Sequence, residues 1–409
     1  MKRRGFLTSL AGAAGVPLLG SLSSAAASLR NQTKITDLKV MLIGKPANWP
    51  LVKVETDAGV SGIGEAYWGR GIKEVMLHYL KPAVVGEDPL DVDRLYTKMV
   101  EITGGAGSIA GVTITAISGV EIALWDLVGK LLGAPACKLL GGQYRKEVRA
   151  YLTRSPENLL DPASCRSYAA ELKAHRYGLT AVKVDILRDR SPSAAHSRQL
   201  SNLELAKNAQ GFAHLREALG DETDIIVHCH WELNWIDSLN LARAVAPIRP
   251  MWLEDPMPPD FSESWIKLTQ QSPVPILTGE NLYTRHGFKP FILHQGCHLI
   301  QIDIPKSGGL LESKKIADLA DLFYMPVAAH CASSPVGFIA SAHCAASIRD
   351  FKAQEYSAGF GEDWVDFILH DRPIIKNGMI QIPEKPGLGV ELNEDKVRSH
   401  LEPGETWWG

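Results

Sequence analysis

Three short stretches read DIIVHCHWE (224–232), MWLEDPMPP (251–259) and PILTGEN (275–281), and each is an apolar run ending in polar, potentially metal-binding side chains. The end residues are His228 with His230, then Glu254, then Glu280, at intervals of 254 − 228 = 26 and 280 − 254 = 26. The series continues with Asp303 in HLIQIDIP, 23 residues on, His330 in MPVAAHC, 27 on, and Glu355 in FKAQEY, 25 on. A parallel β/α barrel of about 250 residues spends roughly 30 on each strand-helix unit, and its chemistry collects at the C-terminal strand ends. Six ends at nearly one period, each bearing a His or an acid, therefore predict such a barrel with a single pocket ringed by these side chains.

Working outward, the first barrel strand is EVRAYLT (147–153) and the second is LTAVKVDIL (179–187), in which Lys183 and Asp185 share one face. A segment rich in Ser, Ala and Asn separates them from the third strand. Upstream, ITDLKVMLI (35–43) and LVKVETD (51–57) alternate like antiparallel strands around a Pro-rich loop holding Asn48 and Trp49. SGIGEAYWGRG (61–71) reads as a glycine-rich loop, and its GxG follows a hairpin, so it is no dinucleotide fingerprint. Helical spacing follows across Ile72–Leu80, Asp91–Ile102 and Thr113–Leu132. The organisation expected is an α+β capping domain (34–146), a barrel (147–375) and a C-terminal segment (376–409) returning to the cap.

A length of 409 residues suits a barrel plus a smaller domain. The net charge of −3 offers no attraction for nucleic acid or an anionic membrane. Six scattered cysteines without a CxxC indicate neither a disulfide scaffold nor a structural zinc site. Cys229 and Cys331 adjoin candidate site residues, but alternation turns them off the barrel axis. The N-terminus reads MKRRGFL, an apolar run through Leu22, then Ala25-Ala26-Ala27. Paired arginines, a modest apolar middle and an A-x-A end describe a twin-arginine export signal over residues 1–27, with a periplasmic mature chain starting near Ser28 and no membrane association after removal.

The motifs TDAGVSGIGEA, GVEIALWDLVGKLLG, AVKVD, HCHWE, WLEDP, TGEN, QIDIPKSGGL, AAHC and PGLGVEL together resemble the enolase superfamily, and within it the acid-sugar dehydratases of the mandelate racemase group. The resemblance implies a modified (β/α)7β TIM-type barrel under an α+β cap, a divalent metal (usually magnesium) and abstraction of a proton α to a carboxylate. By that resemblance Glu254 and Glu280 are metal carboxylates, and Asp303 orients His330, the base. Glu355 bonds the substrate carboxylate, His230 is a general acid, and Lys183 is the first lysine of a K-x-K motif.

Two positions depart from the pattern. Asp185 stands at the second K-x-K lysine, which removes a base on the opposite face and favours a dehydratase over a racemase. His228 stands at the first metal-ligand position, normally Asp; imidazole suits manganese, iron, nickel or zinc better than magnesium. Asp224 does not replace it, lying four residues, about 13 Å, down the strand. Taken singly, Glu254 also reads as a strand-end acid, His330 as a core histidine and Asp303 as a turn residue; the shared period argues for a site. Trp49, Arg70 and Arg285 are candidate substrate contacts. The reading is dehydration of a sugar acid to a 2-keto-3-deoxy acid by a homo-oligomeric enzyme. An epimerase or cycloisomerase, or an exported sugar-acid-binding protein with an impaired metal site, are its alternatives.

Overall fold

The computed structural model describes residues 33–103, 108–188, 198–361, 363–370 and 373–408; the export signal read in residues 1–27 lies outside them. Eight parallel strands form a closed barrel: β4 (Glu147–Thr153), β5 (Ala181–Asp185), β6 (Asp224–His228), β7 (Trp252–Glu254), β8 (Ile276–Thr278), β9 (Leu299–Asp303), β10 (Val327–His330) and β11 (Phe351–Ser357). Closure comes from β11 pairing with β4, Gln354 opposite Ala150. A helix follows each of β4 to β10, whereas β11 runs into short 3₁₀ turns, so the barrel is (β/α)7β.

Every strand contributes one side chain to a buried plug on the axis: Tyr151, Ala181, Ile226, Trp252, Leu277, Leu299, Ala328 and Ala353. Side chains two residues apart on a strand face the same way. Two residues beyond the plug lie Thr153, Lys183, His228, Glu254, Gln301, His330 and Glu355, which is why polar groups gather directly above it. The exception is β8, where the in-phase position is Gly279. Its φ of 138° turns the chain, and a Cβ there would stand 2.3 Å from the Gln301 carbonyl oxygen. That glycine brings Glu280 inward out of phase.

The cap is a three-stranded antiparallel sheet, β1 (Ile35–Ile43), β2 (Trp49–Thr56) and β3 (Ser61–Glu65), with a helical stretch α1 (72–84) and helices α2 (Val92–Ile102) and α3 (Gly111–Leu132). The start of the stretch expected to be a glycine-rich loop is therefore strand. Gly62 and Gly64 are needed there for contact, since a Cβ on either would lie 2.1 Å from Ala123 O or 2.4 Å from Gly119 O of α3. Helix α3 is long and apolar enough to cross a membrane, yet it is mostly buried inside the protein.

Helix α3 also docks the cap on the barrel. Glu121 accepts hydrogen bonds from Leu310 and Leu311 N (2.7 and 2.9 Å) at the start of the barrel helix Gly309–Asp321, and Ser118 Oγ accepts from Gly308 N at 2.8 Å. From β3, Glu65 accepts from Ser334 and Gly337 N, both at 2.8 Å, at the start of the barrel helix Pro335–Ser347. Helix starts carry unpaired N–H groups and a partial positive charge, which buried carboxylates complement. These joints hold the loop after β3 over the barrel mouth.

The C-terminal segment divides. A hairpin of Ile375–Lys376 and Met379–Gln381 pairs antiparallel to β4, so this piece stays with the barrel rather than returning to the cap. Farther on, Leu388 N donates to Asp126 of α3 at 2.7 Å, Leu401 bridges to Ile43, and Glu405 pairs with Lys73 at 2.6 Å.

Candidate active site and metal centre

Lys183 is 2% exposed, and its ammonium lies 2.9 Å from both Glu254 Oε1 and Glu355 Oε1. Burial alone would push its pKa down, but Glu254, Glu355 and Glu280 together raise it well above the ordinary lysine range. Glu254 also accepts from Gln301 Nε2 (3.1 Å) and Trp252 Nε1 (2.8 Å). Burial tends to raise the Glu355 pKa, and Lys183 and His330 overcome it to hold the carboxyl at about 2.

Across the mouth, His330 Nδ1 meets Asp303 Oδ2 at 2.5 Å, between register partners of β9 and β10. With Nδ1–H donated to Asp303, Nε2 faces the pocket, 3.6 Å from Glu280 Oε2 and from Glu355 Oε2. Burial would lower the His330 pKa; Glu280, Glu355 and Asp303 reverse this and raise it to about 9. The phenol ring of Tyr67, on the cap loop, lies 5.9 Å from the His330 ring, and the Lys306 ammonium lies 4.7 Å from the phenol.

On the opposite side His228 is nearly fully buried, its Nδ1 3.1 Å from Asp185 Oδ1. His230 does not continue the strand pleat. It and Trp231 adopt left-handed backbone (φ 52° and 59°), a conformation that disfavours side chains with a Cβ. The turn is held by Trp231 N donating to Asp255 O at 2.7 Å and Leu233 N to Pro256 O at 3.0 Å. It places the His230 ring 3.8 Å from that of His228 and leaves it partly exposed at the rim. Burial and the neighbouring His228 lower the His230 pKa, while Asp185 and Glu280 oppose them.

The donor set fits a divalent cation. One ligand atom from each of His228, Glu254, Asp255 and Glu280 lies within 4.8 Å of the others. Among them His228 Nε2, Asp255 Oδ2 and Glu280 Oε2 are buried with no hydrogen-bond partner. Buried polar atoms are seldom left so, and several acceptors aimed at one point are what a cation satisfies. Burial, then Glu280 and Glu254, raise the Asp255 carboxyl to about 7, and Thr278 Oγ1 donates to it.

Residues 39–141 match the mandelate racemase / muconate lactonizing enzyme N-terminal domain, and residues 167–396 match the enolase C-terminal domain-like family. The chain belongs to the mandelate racemase/muconate lactonizing enzyme family. A D-xylonate dehydratase of Haloferax volcanii is 40% identical over 379 residues, covering 91% of this chain and 90% of that protein. The crystal structure of a mandelate racemase/muconate lactonizing enzyme-like protein from Rubrobacter xylanophilus superposes with a TM-score of 0.85 at 34% identity, over 92% of this chain and 99% of that one. An enolase superfamily member from Salmonella Typhimurium gives 0.82 at 27% identity, over 91% and 99%.

Within this family member the barrel mouth brings together Lys183, Asp185, His228, His230, Glu254, Glu280, Asp303, His330 and Glu355. The three candidate substrate contacts are not joined to them. Trp49 is fully buried at the start of β2, edge-on to Phe360 and Phe367, with Nε1 donating to Ala332 O at 3.3 Å. Its large apolar surface seals the seam between cap and barrel. Arg70 is exposed and lines a surface cavity of about 260 Å³ with Leu42, Asn48, Lys73 and Glu74, a lining that includes none of the barrel-mouth residues. Arg285 Nε sits 3.1 Å from both oxygens of Glu312, tying two barrel helices together. The sequence reading missed Thr153, Trp252 and Gln301, which the period-2 alternation itself points to. It also missed Asp255 and Tyr67, for which no local signal exists.

Proposed function

We propose that this chain is a sugar-acid dehydratase, converting an aldonic acid with a free C2 hydrogen and C3 hydroxyl into a 2-keto-3-deoxy acid. The observation that carries the reading is the pairing of Asp303 with His330 at one wall and His230 at the other, with a Lys–carboxylate floor between. One divalent cation, magnesium by family habit or a softer ion, is assigned to His228, Glu254 and Glu280. When bound, such an ion would supply positive charge to the site and would offset the Glu280 charge that, with Glu355 and Asp303, raises the His330 pKa.

Lys183 orients the substrate carboxylate, and Glu355, 2.9 Å from the ammonium, holds Lys183 in place. Neutral His330 takes the C2 proton on Nε2 while Asp303 holds the imidazole and compensates its new charge. The C2–H electron pair passes into an enediolate, which then forms the C2–C3 double bond as the C3–O bond breaks. His230 delivers a proton to that oxygen, and water leaves. The enol formed tautomerises to the keto acid. Asp185 in place of a second lysine leaves no amine base opposite His330, in keeping with one base and one acid.

The test is a panel of aldonic acids with D-xylonate first, following keto-acid product and C2 deuterium exchange. His330→Asn should lose both by about 10²–10⁴-fold; near-normal exchange in that variant would remove His330 from the role. Residues 1–27 are further proposed to direct export. A periplasmic chain whose first residue lies near Ser28 supports this, and an intact Met1 there refutes it.

A further inference from the structure

Asp185 and His228, the two positions that depart from the pattern the sequence resemblance implies, touch. They are register partners on neighbouring parallel strands, 43 residues apart, with Asp185 Oδ1 3.1 Å from His228 Nδ1. His228 Nε2 points the other way, buried and unpartnered, 3.9 Å from Glu254 Oε1. Asp185 Oδ1 is also 3.4 Å from His230 Nδ1, but that nitrogen forms no hydrogen bond, so the oriented partner is His228.

A neutral imidazole carries one proton, and its neighbour decides where. A carboxylate can only accept, so Asp185 puts the hydrogen on Nδ1 and leaves the Nε2 lone pair facing Glu254, Asp255 and Glu280. An ammonium at position 185 would do the reverse. It would donate to Nδ1 and drive the hydrogen onto Nε2, aimed into the donor set, where it would exclude a cation. The substitution at 228 is therefore chemically conditional on the one at 185. Charge follows the same logic, because His in place of Asp removes one negative charge from the donors and Asp185 restores it behind the imidazole.

Resting on the reading of this cluster as a metal centre, we propose that Asp185 is a positioning residue. By holding His228 as a nitrogen ligand, it converts an all-oxygen magnesium site into one that prefers a divalent transition ion of the manganese-to-zinc class. Imidazole nitrogen suits those ions, whereas magnesium keeps to oxygen. Removing a carboxylate behind a ligating histidine typically costs 10–100-fold in metal affinity.

The experiment titrates metal-free, folded protein with manganese, zinc and magnesium by calorimetry, and reads the His228 tautomer from its ¹⁵N shifts. Wild type should bind manganese and zinc more tightly than magnesium, with the hydrogen on Nδ1. Asp185→Leu should weaken manganese and zinc binding by about 10–100-fold and lose the fixed tautomer, whereas Asp185→Asn, which still offers an acceptor, should recover part of both. Asp185→Lys should bind worst, and adding His228→Asp to it should restore binding with magnesium now preferred. The positioning role is overturned if Asp185→Leu keeps wild-type manganese affinity while Glu280→Gln abolishes it, or if wild type prefers magnesium. Manganese affinity unchanged in Glu280→Gln would instead overturn the metal centre itself.

Discussion

Replacement of Lys183 by methionine tests the electrostatics of the site in a single change. The ammonium lies 2.9 Å from Glu254 and from Glu355, and none of the three side chains is more than 3% exposed. Methionine fills the space of the stem but leaves two buried carboxylates facing each other. Breaking a buried pair by deleting one partner costs about 3–5 kcal/mol. A second route gives a similar figure. The Glu355 carboxyl is held at about 2 against an ordinary 4.5, through Lys183 and His330 acting against burial. At about 1.4 kcal/mol per pH unit that preference amounts to roughly 3 kcal/mol.

The pH dependence follows in sign. In the wild type the folded pKa of Glu355 lies below the unfolded one, so its contribution is complete above about 4.5 and is lost as pH falls toward 2. Without Lys183, burial dominates and the folded pKa rises above the unfolded value, so the variant loses stability as pH rises. Guanidinium unfolding in chelator should show a deficit of about 3–5 kcal/mol at pH 8, narrowing by on the order of 1–2 kcal/mol at pH 5.5. A deficit below about 1 kcal/mol at pH 8, or one that widens on acidification, would refute the reasoning.

Glu254→Gln and Glu280→Gln should lose bound metal while Asp303→Asn keeps it, because only the first two belong to the donor set; elemental analysis showing equal metal in all three would reject the assignment. Trp49→Ala should cost about 3–5 kcal/mol of stability with KM changed less than about threefold, since the indole packs in the seam and touches no site residue; a KM effect at intact stability would return it to the substrate. His343 is buried, with Nε2 on Leu388 O at 3.0 Å, and burial lowers its pKa to about 4 although the carbonyl pulls the other way. Its folded pKa lies below the unfolded one of about 6.5, so stability is lost as pH falls from 6.5 toward 4. Wild type should therefore lose about 2 kcal/mol more than His343→Gln between pH 7 and 5 in chemical denaturation. Parallel losses would remove the histidine from that dependence.

Much of this protein is written locally. Strand, loop and return helix must occupy a set length of chain in a barrel, so the recurrence of His or acid at 228, 254, 280, 303, 330 and 355 carries the fold without any contact being known. Period-2 alternation then places most of the ring above the plug, Lys183, Glu254, His330 and Glu355 included. What alternation cannot supply came only with the tertiary structure. Glu280 enters out of phase because Gly279 turns the strand, and His230 reaches the rim through a left-handed turn held by hydrogen bonds to Asp255 and Pro256. Trp49 and Arg285, polar-tipped and plausible on paper, were taken by the seam and by Glu312. Most of all, the anomalies at 185 and 228 are independent in the chain and one unit in space. Which side chains share a face is decided by neighbours in sequence, but which of them meet is decided by strand register across 43 residues and by where the cap docks.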